Sequence, residues 1–249
     1  MGNWVKPPLG IQLNVGHPLA RGLVGLWIMN EGGGSRVFDL SGNSNTGVIT
    51  DAVWVGDGLD FAGGASADVI TLNNGVALHT TDVFSLVAIV TPSAIGTLLG
   101  ILEGASGSVA WVIDTDGRHM MAKDGVAWIT PVGGSALQAG ETYMLAATYD
   151  IGQTTEAFYY VNGALDSYSA VSADFSDSTS RIGDYNGANF DGLISHIAMY
   201  DRVLSASEIL QLYLKPYAMF KRVPIELWTA ATSITAGGIV VLRRRRECA

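Results

Sequence analysis

The chain has 249 residues, 31 of them glycine and one cysteine, with a formal net charge of −9 and 48% hydrophobic against 15% charged residues. This composition excludes a disordered chain, which has too little apolar surface to bury. It also excludes a disulfide-stabilised scaffold, because Cys248 has no intrachain partner. The high glycine content favours many strands joined by tight turns, and all-β sandwiches of this length fold as one domain.

The charge is unevenly distributed along the chain. Residues 215–249 hold seven of the fourteen basic residues and two acidic ones, a net charge of +5, which leaves −14 on residues 1–214. A basic tail on an acidic body predicts that the tail contacts an acidic surface, such as the body of a neighbouring copy, and a solvated tail is the alternative. Because the body repels nucleic acid, we do not expect a nucleic-acid partner.

The first segment is predicted to be an extended arm, residues 1–21, because Pro7, Pro8 and Pro18 prevent regular helix. Residues 1–8 lack the positive and then apolar run of a signal peptide, so we expect no ordinary secretory leader.

Short apolar runs bounded by turn residues follow from residue 22 onwards and predict a β-sandwich. Asn162 and Gly163 predict a tight hairpin turn, since both central residues of such a turn adopt positive φ. The clearest predicted strands are residues 23–28, 84–90, 111–113, 143–149, 156–161 and 192–200.

One helix is predicted after the strands. Ser205 and Glu208 form a capping-box pattern, and Pro216 ends the helix. We therefore assign a domain to residues 22–215 and a basic C-terminal arm to residues 216–249. The apolar stretch within this arm, residues 227–242, is shorter than the ~20 residues of a membrane-spanning helix. Its Gly-Gly pair and β-branched residues favour two short strands over a membrane anchor.

Several motifs between residues 22 and 214 resemble the laminin-G-like, concanavalin A-like lectin and glucanase family. They are WIMNEGGG at 27–34, FDLSGNSNTG at 38–47, LDFAG at 59–63, RIGDYNG at 181–187 and FDGLISHIAMYDRVLSASEI at 190–209. The resemblance implies a jelly-roll sandwich of two antiparallel sheets with one short C-terminal helix. It is weak for function, because this fold carries lectins, glycosidases, adhesion modules and virion proteins.

The tail sequence PYAMFKRVPIELW at 216–228 resembles the segment that follows such domains in phage and prophage virion proteins. The resemblance implies a non-enzymatic virion protein, a capsid decoration or a tail or fibre subunit, whose partners are other copies and other virion proteins. An extracellular lectin that binds host glycans is the alternative. The expected assembly contacts are Phe220, Trp228, Arg243, Arg244, Arg245 and Arg246.

Catalytic patterns are not found in the sequence. Glycoside hydrolysis needs two carboxylates on one face, and the seven glutamates never form the Glu-x-Asp-x-x-Glu pattern of jelly-roll glucanases. Asp114 and Asp116 share a face but lead into an Asp-Gly turn. The four histidines lack metal-ligand spacing, and His196, in mid-strand, is expected to be structural. We expect a protein that is not an enzyme.

Two other kinds of site are predicted. Asp39, Ser41, Asn43 and Asn45 alternate oxygen-bearing side chains and could hold Ca²⁺, although Asx turns explain the same pattern. A second oxygen cluster, which could face a sugar or an ion, comprises Asp184, Asn186, Asn189 and Asp191. Carbohydrate binding by aromatic stacking and amide hydrogen bonds would use Trp54, Trp128, Tyr185, Asn186 and Asn189.

Overall fold

The structure, a computed structural model, describes residues 4–64, 68–76, 82–104, 107–123, 127–175, 178–221, 229–235 and 238–244, the last two ranges as backbone. A 3₁₀ turn at Pro18–Ala20 precedes the strands. The strands are β1 Leu23–Trp27, β2 Arg36–Val37, β3 Gly47–Thr50, β4 Val53–Val55, β5 Gly58–Gly64, β6 Val69–Val76, β7 Val83–Pro92, β8 Leu99–Gly104, β9 Val109–Ile113, β10 His119–Lys123, β11 Ala127–Ile129, β12 Tyr143–Asp150, β13 Ala157–Val161, β14 Ala164–Ser169, β15 Thr179–Ile182, β16 Asn189–Tyr200, β17 Thr229–Thr235 and β18 Gly238–Arg244, with helix α1 at Ala206–Leu214.

Two antiparallel sheets of eight strands each form the sandwich, as predicted. The first sheet runs β14-β13-β12-β7-β16-β5-β4, and β1 also pairs with β16. The second sheet runs β11-β10-β9-β8-β15-β6-β3-β2. Strands adjacent in a sheet come from distant parts of the sequence, and the loop after β15 therefore lies close to β8, which is far from it in the chain.

The hydrophobic core lies between the two sheets. The side chains of strand β7 alternate between the two faces of the first sheet. Leu86 and Ala88 face the second sheet, and Val87 and Ile89 face away from it. Because side chains alternate across a strand, a run that is apolar at every position must be covered on both faces. The first sheet therefore needs a second covering layer on its outer face.

The covering layer on the outer face of the first sheet comes from both ends of the described chain. Residues 4–21, helix α1 and residues 217–220 pack there around Val87, Ile89 and Tyr200. Leu13 and Phe220 form a β-bridge, and Phe220 is only 7% exposed. The predicted N-terminal arm is thus mostly extended, but it packs on its own domain. Phe220 was predicted to contact other chains, and this prediction is wrong because its side chain is buried within its own chain.

Two local predictions are confirmed. Ser205 caps helix α1 by accepting a hydrogen bond from the Glu208 backbone N–H, and the Glu208 side chain accepts one from the Ser205 N–H. Asn162 and Gly163 turn between β13 and β14 with φ of 52° and 81°. Both features depend on interactions within a few residues, which is why the local pattern was sufficient to find them.

The C-terminal segment contains a hairpin, as the Gly-Gly pair predicted. Strands β17 and β18 pair in register from Thr229 opposite Arg244 to Thr235 opposite Gly238. The side chains of Arg243 and Arg244, and Trp228, Arg245, Arg246 and Cys248 altogether, lie outside the described residues, so their predicted contacts stay predictions. Within the described part of the chain, no helix has the length and apolar character needed to cross a membrane.

Candidate functional site

The outer face of the second sheet carries a row of side chains that crosses it. Pairing of successive strands aligns Arg36 with Val48, Val48 with Thr71, and Thr71 with Arg181, all exposed. At the far edge of the same sheet, Trp128 on β11 pairs with Ala122 on β10 and is 42% exposed. Since neighbouring strands lie about 4.8 Å apart, the eight strands extend over about 34 Å.

The loop between β15 and β16, residues 183–188, lies over the middle of this outer face. Its backbone continues the sheet, because Gly183 N–H donates to Ile101 O and Gly100 N–H donates to Ala188 O, both at 2.9 Å. Gly100 makes the close approach possible, since a Cβ at this position would lie 2.3 Å from the backbone of Asp184 and Tyr185. The loop is therefore seated directly on β8.

A charged cluster holds the loop in place. The Arg181 guanidinium donates to Asp184 Oδ2 at 3.1 Å and lies 3.7 Å from Glu103 Oε2. The same Glu103 oxygen accepts from the Asn186 N–H at 2.8 Å, and Asp184 Oδ1 accepts from the Gly187 N–H at 3.0 Å. Glu103 is only 2% exposed, and a buried charge needs a partner. Arg181 and the Asn186 backbone N–H supply that compensation.

Trp128 and Tyr185 are the two predicted sugar-binding aromatic residues that the fold brings together. Their ring centroids are 5.5 Å apart with the planes tilted by 59°. The sequence predicted that Tyr185 would be exposed, but it is only 8% exposed. Its ring therefore supports the Trp128 ring and is not itself a surface contact. The side chain of Asn186 is exposed beside them.

Two other predicted sugar-binding residues are placed away from Trp128: Asn189 is buried, and Trp54 is half-buried on the other sheet. Trp54, on β4 of the first sheet, is half-buried against the core, and its indole N–H donates to Gly34 O at 2.8 Å. Asn189 is 4% exposed, and its side chain donates to Asp68 O at 2.9 Å. Both polar groups are used within the fold. The sequence analysis missed Arg181 and Glu103, although a glutamate in the apolar strand β8 indicates a buried charge that needs a partner.

The predicted calcium loop is closed by its own hydrogen bonds. Asp39 Oδ1 accepts from the backbone N–H groups of Leu26 and Ser41, and Oδ2 accepts from that of Asn45 at 2.9 Å. The side-chain amides of Asn43 and Asn45 donate to the carbonyl oxygen of Val24. These bonds are the Asx-turn alternative to a metal site. In the described residues, no three His, Cys, Asp or Glu side chains are grouped to hold a metal ion, and calcium binding stays a prediction.

The histidines in mid-strand are buried. His119 accepts a hydrogen bond from the Trp111 indole at 3.2 Å, and burial lowers its pKa to about 4. His196 is 1% exposed on the outer face of the first sheet, and burial, with a smaller effect of the charge on Lys6, lowers its pKa to about 3. Both rings are therefore neutral at pH 7.

Asp184 and Asp191, the other members of the second predicted oxygen cluster, point to different partners. Asp184 binds Arg181, whereas Asp191 lies near Asp60 on the first sheet. Burial, and then the like charge of Asp60, raises the pKa of the Asp191 carboxyl. The four oxygen-bearing side chains thus form no single ion site.

Comparison with known families identifies the fold independently. Residues 63–210 match the concanavalin A-like lectin/glucanases superfamily. The chain belongs to this superfamily. The match covers the loop over the second sheet, Trp128 and the first part of helix α1, and it leaves residues 4–21 and the C-terminal hairpin outside. Comparison of the sequence with curated proteins gave no match.

Solved structures from several sources share the superfamily fold. Trypanosoma rangeli sialidase in complex with sialic acid aligns with a TM-score of 0.56 at 21% identity, over 80% of this chain but only 33% of its own. Domain 4 of AbnA, an extracellular arabinanase from Geobacillus stearothermophilus in complex with arabinotriose, aligns with a TM-score of 0.56 at 18% identity, over 77% of this chain and 98% of its own. The binding domain of Paraclostridial Mosquitocidal Protein 1 aligns with a TM-score of 0.57 at 14% identity, over 78% and 52%.

Proposed function

We propose that this chain is a non-enzymatic carbohydrate-binding domain whose binding surface surrounds Trp128 on the outer face of the second sheet. The observation that carries the proposal is an exposed indole fixed by a buried aromatic ring. An aromatic side chain with a rigid support binds an apolar sugar face at little cost in conformational entropy. Asn186 lies next to Tyr185 in the same loop, and Arg181 and Thr71, four and five strands further along the same face, supply hydrogen-bonding groups for the hydroxyls of a longer ligand.

Two of the similar structures support a sugar as the ligand class. The AbnA domain, which this fold covers almost completely, is in complex with arabinotriose, and the sialidase is in complex with sialic acid. The length of the outer face, about 34 Å, suits an oligosaccharide better than a single sugar.

The absence of catalysis is part of the proposal; the carboxyl groups of Asp116 and Glu103 support it, whereas the raised pKa of Asp191 beside Asp60 does not. A glycosidase needs a general acid with a raised pKa beside a second carboxylate. Asp116, which lies with Asp114 in the turn between β9 and β10, is exposed, and its hydrogen bond with Arg118 lowers the pKa of its carboxyl. Glu103 is compensated by Arg181. No turnover is expected on a panel of polysaccharides.

The test is a glycan array, including arabino-oligosaccharides and sialylated glycans, probed with the full chain. Trp128→Ala should weaken binding by at least about tenfold, the effect of truncating a central aromatic contact. Tyr168→Ala is the matched control, because Tyr168 is 45% exposed on the other sheet. An array without any bound glycan, or equal loss in both variants, would refute the proposal.

A second proposal concerns assembly: the chain is a virion structural protein that residues 222–249 attach to other copies or to other virion proteins. In the described residues, β17 and β18 pair only with each other. A lone two-stranded hairpin is marginally stable in water, and its open edges favour pairing with another chain.

Truncation after Lys221 tests this proposal, because it removes the hairpin and keeps the buried Met219 and Phe220. We expect the truncated chain to keep its melting temperature and to lose its oligomeric state, measured by light scattering, or its incorporation into particles. Normal assembly of the truncated chain would contradict the proposal.

A further inference from the structure

A cavity of about 240 Å³ opens on the outer face of the first sheet, away from Trp128. It lies between residues 4–6, the ends of β7 and β16, and the segment after helix α1. Its charged and polar lining residues are Lys6, Asp57, Thr91, Thr142 and Ser195, and its aromatic lining residues are Trp4 and Tyr217. The volume is smaller than the ~300–1,000 Å³ of pockets for drug-sized molecules, so it suits a ligand no larger than a single sugar.

Lys6 places a positive charge in the wall of this cavity. Its Nζ donates to the carbonyl oxygens of Met29, at 2.8 Å, and Asp57. An ammonium group has three donors, so one remains for a ligand. The carboxylates of Asp57, which also lines the cavity, and of Glu31 act on Lys6 electrostatically, but among the described residues neither lies within the 4 Å of an ion pair with it. Burial lowers the pKa of Lys6 to about 8. The Lys6 ammonium group is therefore charged in most of the molecules at pH 7.

A β-bulge supplies further polar groups. The pairing of β16 with β7 shifts between Ile194 and His196, so one extra residue is accommodated there. As a result Ser195 lines the cavity, while its neighbour His196 lies opposite Ile89 on the same outer face. Bulges commonly re-aim side chains beside binding sites. The hydroxyl groups of Thr91 and Thr142, 2.8 Å apart, lie on the same wall.

Two aromatic rings complete the cavity, and both are held rigidly. The Trp4 indole N–H donates to Tyr213 O at 2.8 Å, and its ring packs edge-on against Tyr213 at 5.6 Å. Tyr217 packs against His196 at 5.9 Å. Neither ring nitrogen of His196 has a hydrogen-bond partner in the described residues, a rare state for a buried polar group and one that is commonly found at functional sites.

We propose that this cavity binds a small sugar that carries a carboxylate, such as a uronic acid. Its carboxylate contacts the Lys6 ammonium group, its hydroxyls contact Thr91, Thr142 and Ser195, and its ring lies against Trp4 and Tyr217. The site is separate from the surface around Trp128, because it lies on the other sheet, and its residues Trp4, Lys6 and Tyr217 lie outside the superfamily match.

Isothermal titration of the full chain with sodium D-glucuronate tests the proposal, with D-glucose as the neutral sugar of the same size. Glucuronate should bind at least about tenfold more tightly than glucose at pH 7, since a charge-assisted hydrogen bond is lost with glucose. The affinity should fall as the pH rises above about 8, where Lys6 loses its proton. Equal binding of both sugars, or no binding of glucuronate, would overturn the proposal.

Variants separate this site from general charge effects and from the Trp128 surface. Lys6→Met should weaken glucuronate binding by about tenfold or more, and Lys6→Arg should retain part of it. Lys221→Met makes the same change in net charge but removes only a contact with Gln12, so it should leave the affinity unchanged. Trp128→Ala should also leave it unchanged.

A second variant tests the site even if Lys6→Met fails to fold. Ser195→Ala removes a hydroxyl that lines the cavity and bonds Ile89 O at only 3.3 Å. It should weaken glucuronate binding while the melting temperature stays within about 2 °C of the parent chain, as for a ΔΔG below ~0.5 kcal/mol. Unchanged glucuronate affinity in folded Ser195→Ala and Lys6→Met would overturn the proposal.

Discussion

Gly100 is the position where a single methyl group should separate the loop at residues 183–188 from the second sheet. A Cβ there would lie 2.3 Å from Asp184 C and from Tyr185 N, and 2.7 Å from Ala188 O. Carbon contacts are optimal at about 3.5–4.0 Å. Because all three atoms belong to the backbone, no side-chain rotation can relieve the overlap, and the loop must move by more than about 1 Å.

The stability change follows from two opposing effects. Overpacking of this kind costs about 1–3 kcal/mol, while replacing glycine by alanine stabilises by about 0.4–1 kcal/mol through the unfolded state. We therefore expect Gly100→Ala to lower the free energy of unfolding by about 1–2 kcal/mol. For a chain of this size, the melting temperature should fall by about 2–8 °C.

Thermal unfolding followed by circular dichroism measures the stability, and titration with an array-selected glycan measures the binding. Displacement of the loop removes Tyr185 from beneath Trp128, so the near-ultraviolet spectrum should change and glycan affinity should fall. Gly33→Ala is the matched control, because no atom lies within 4 Å of its Cβ position. If Gly100→Ala were as stable as Gly33→Ala and bound glycan normally, the loop would not be seated on β8 as described.

Three further predictions concern the covering layer, the Asx loop and the buried histidines. Phe220→Ala should cost about 3–5 kcal/mol of unfolding free energy by denaturant titration, whereas Phe38→Ala, at a 53% exposed site, should change it by less than about 0.5 kcal/mol. Asp39→Ala should lower the free energy of unfolding by about 2 kcal/mol, because three backbone N–H groups lose their acceptor. If these bonds replace a metal, the melting temperature of the parent chain should be the same in EDTA and in CaCl₂. Stability should fall as the pH is lowered from about 6.5 towards 3, by at most about 1.4 kcal/mol per pH unit for His196, since the unfolded state protonates first. His196→Phe should flatten that dependence.

Local sequence patterns identified the features whose interactions span a few residues. The Ser205 cap and the Asn162 turn are of this kind. Long apolar runs such as β7 also indicated buried strands, and the family motifs predicted the two-sheet sandwich. Trp128 was predicted to be exposed from its loop-like context, and its indole is exposed although the residue lies on strand β11.

Contacts between distant parts of the chain could not be predicted in this way. Tyr185 lies in a loop rich in Gly, Asn and Asp, a pattern that predicts exposure, yet it is buried because the loop folds onto β8 at Gly100. Phe220 follows the helix in a segment that looks like a tail, and its burial depends on a bridge to Leu13. Lys6 is part of a cavity only because residues 4–6 lie beside Tyr217.

The covering of the first sheet determines where ligands can bind in this domain. Residues 4–21, helix α1 and residues 217–220 pack on its outer face, and among the described residues they leave only small openings there, one of which is the cavity beside Lys6. On the second sheet, the described residues show the loop at residues 183–188 as a covering segment, and they leave the row from Arg36 to Arg181 and the edge at Trp128 exposed. An extended glycan therefore has room on the second sheet, and a single sugar has room on the first. The same division predicts that Trp128→Ala and Lys6→Met affect different ligands.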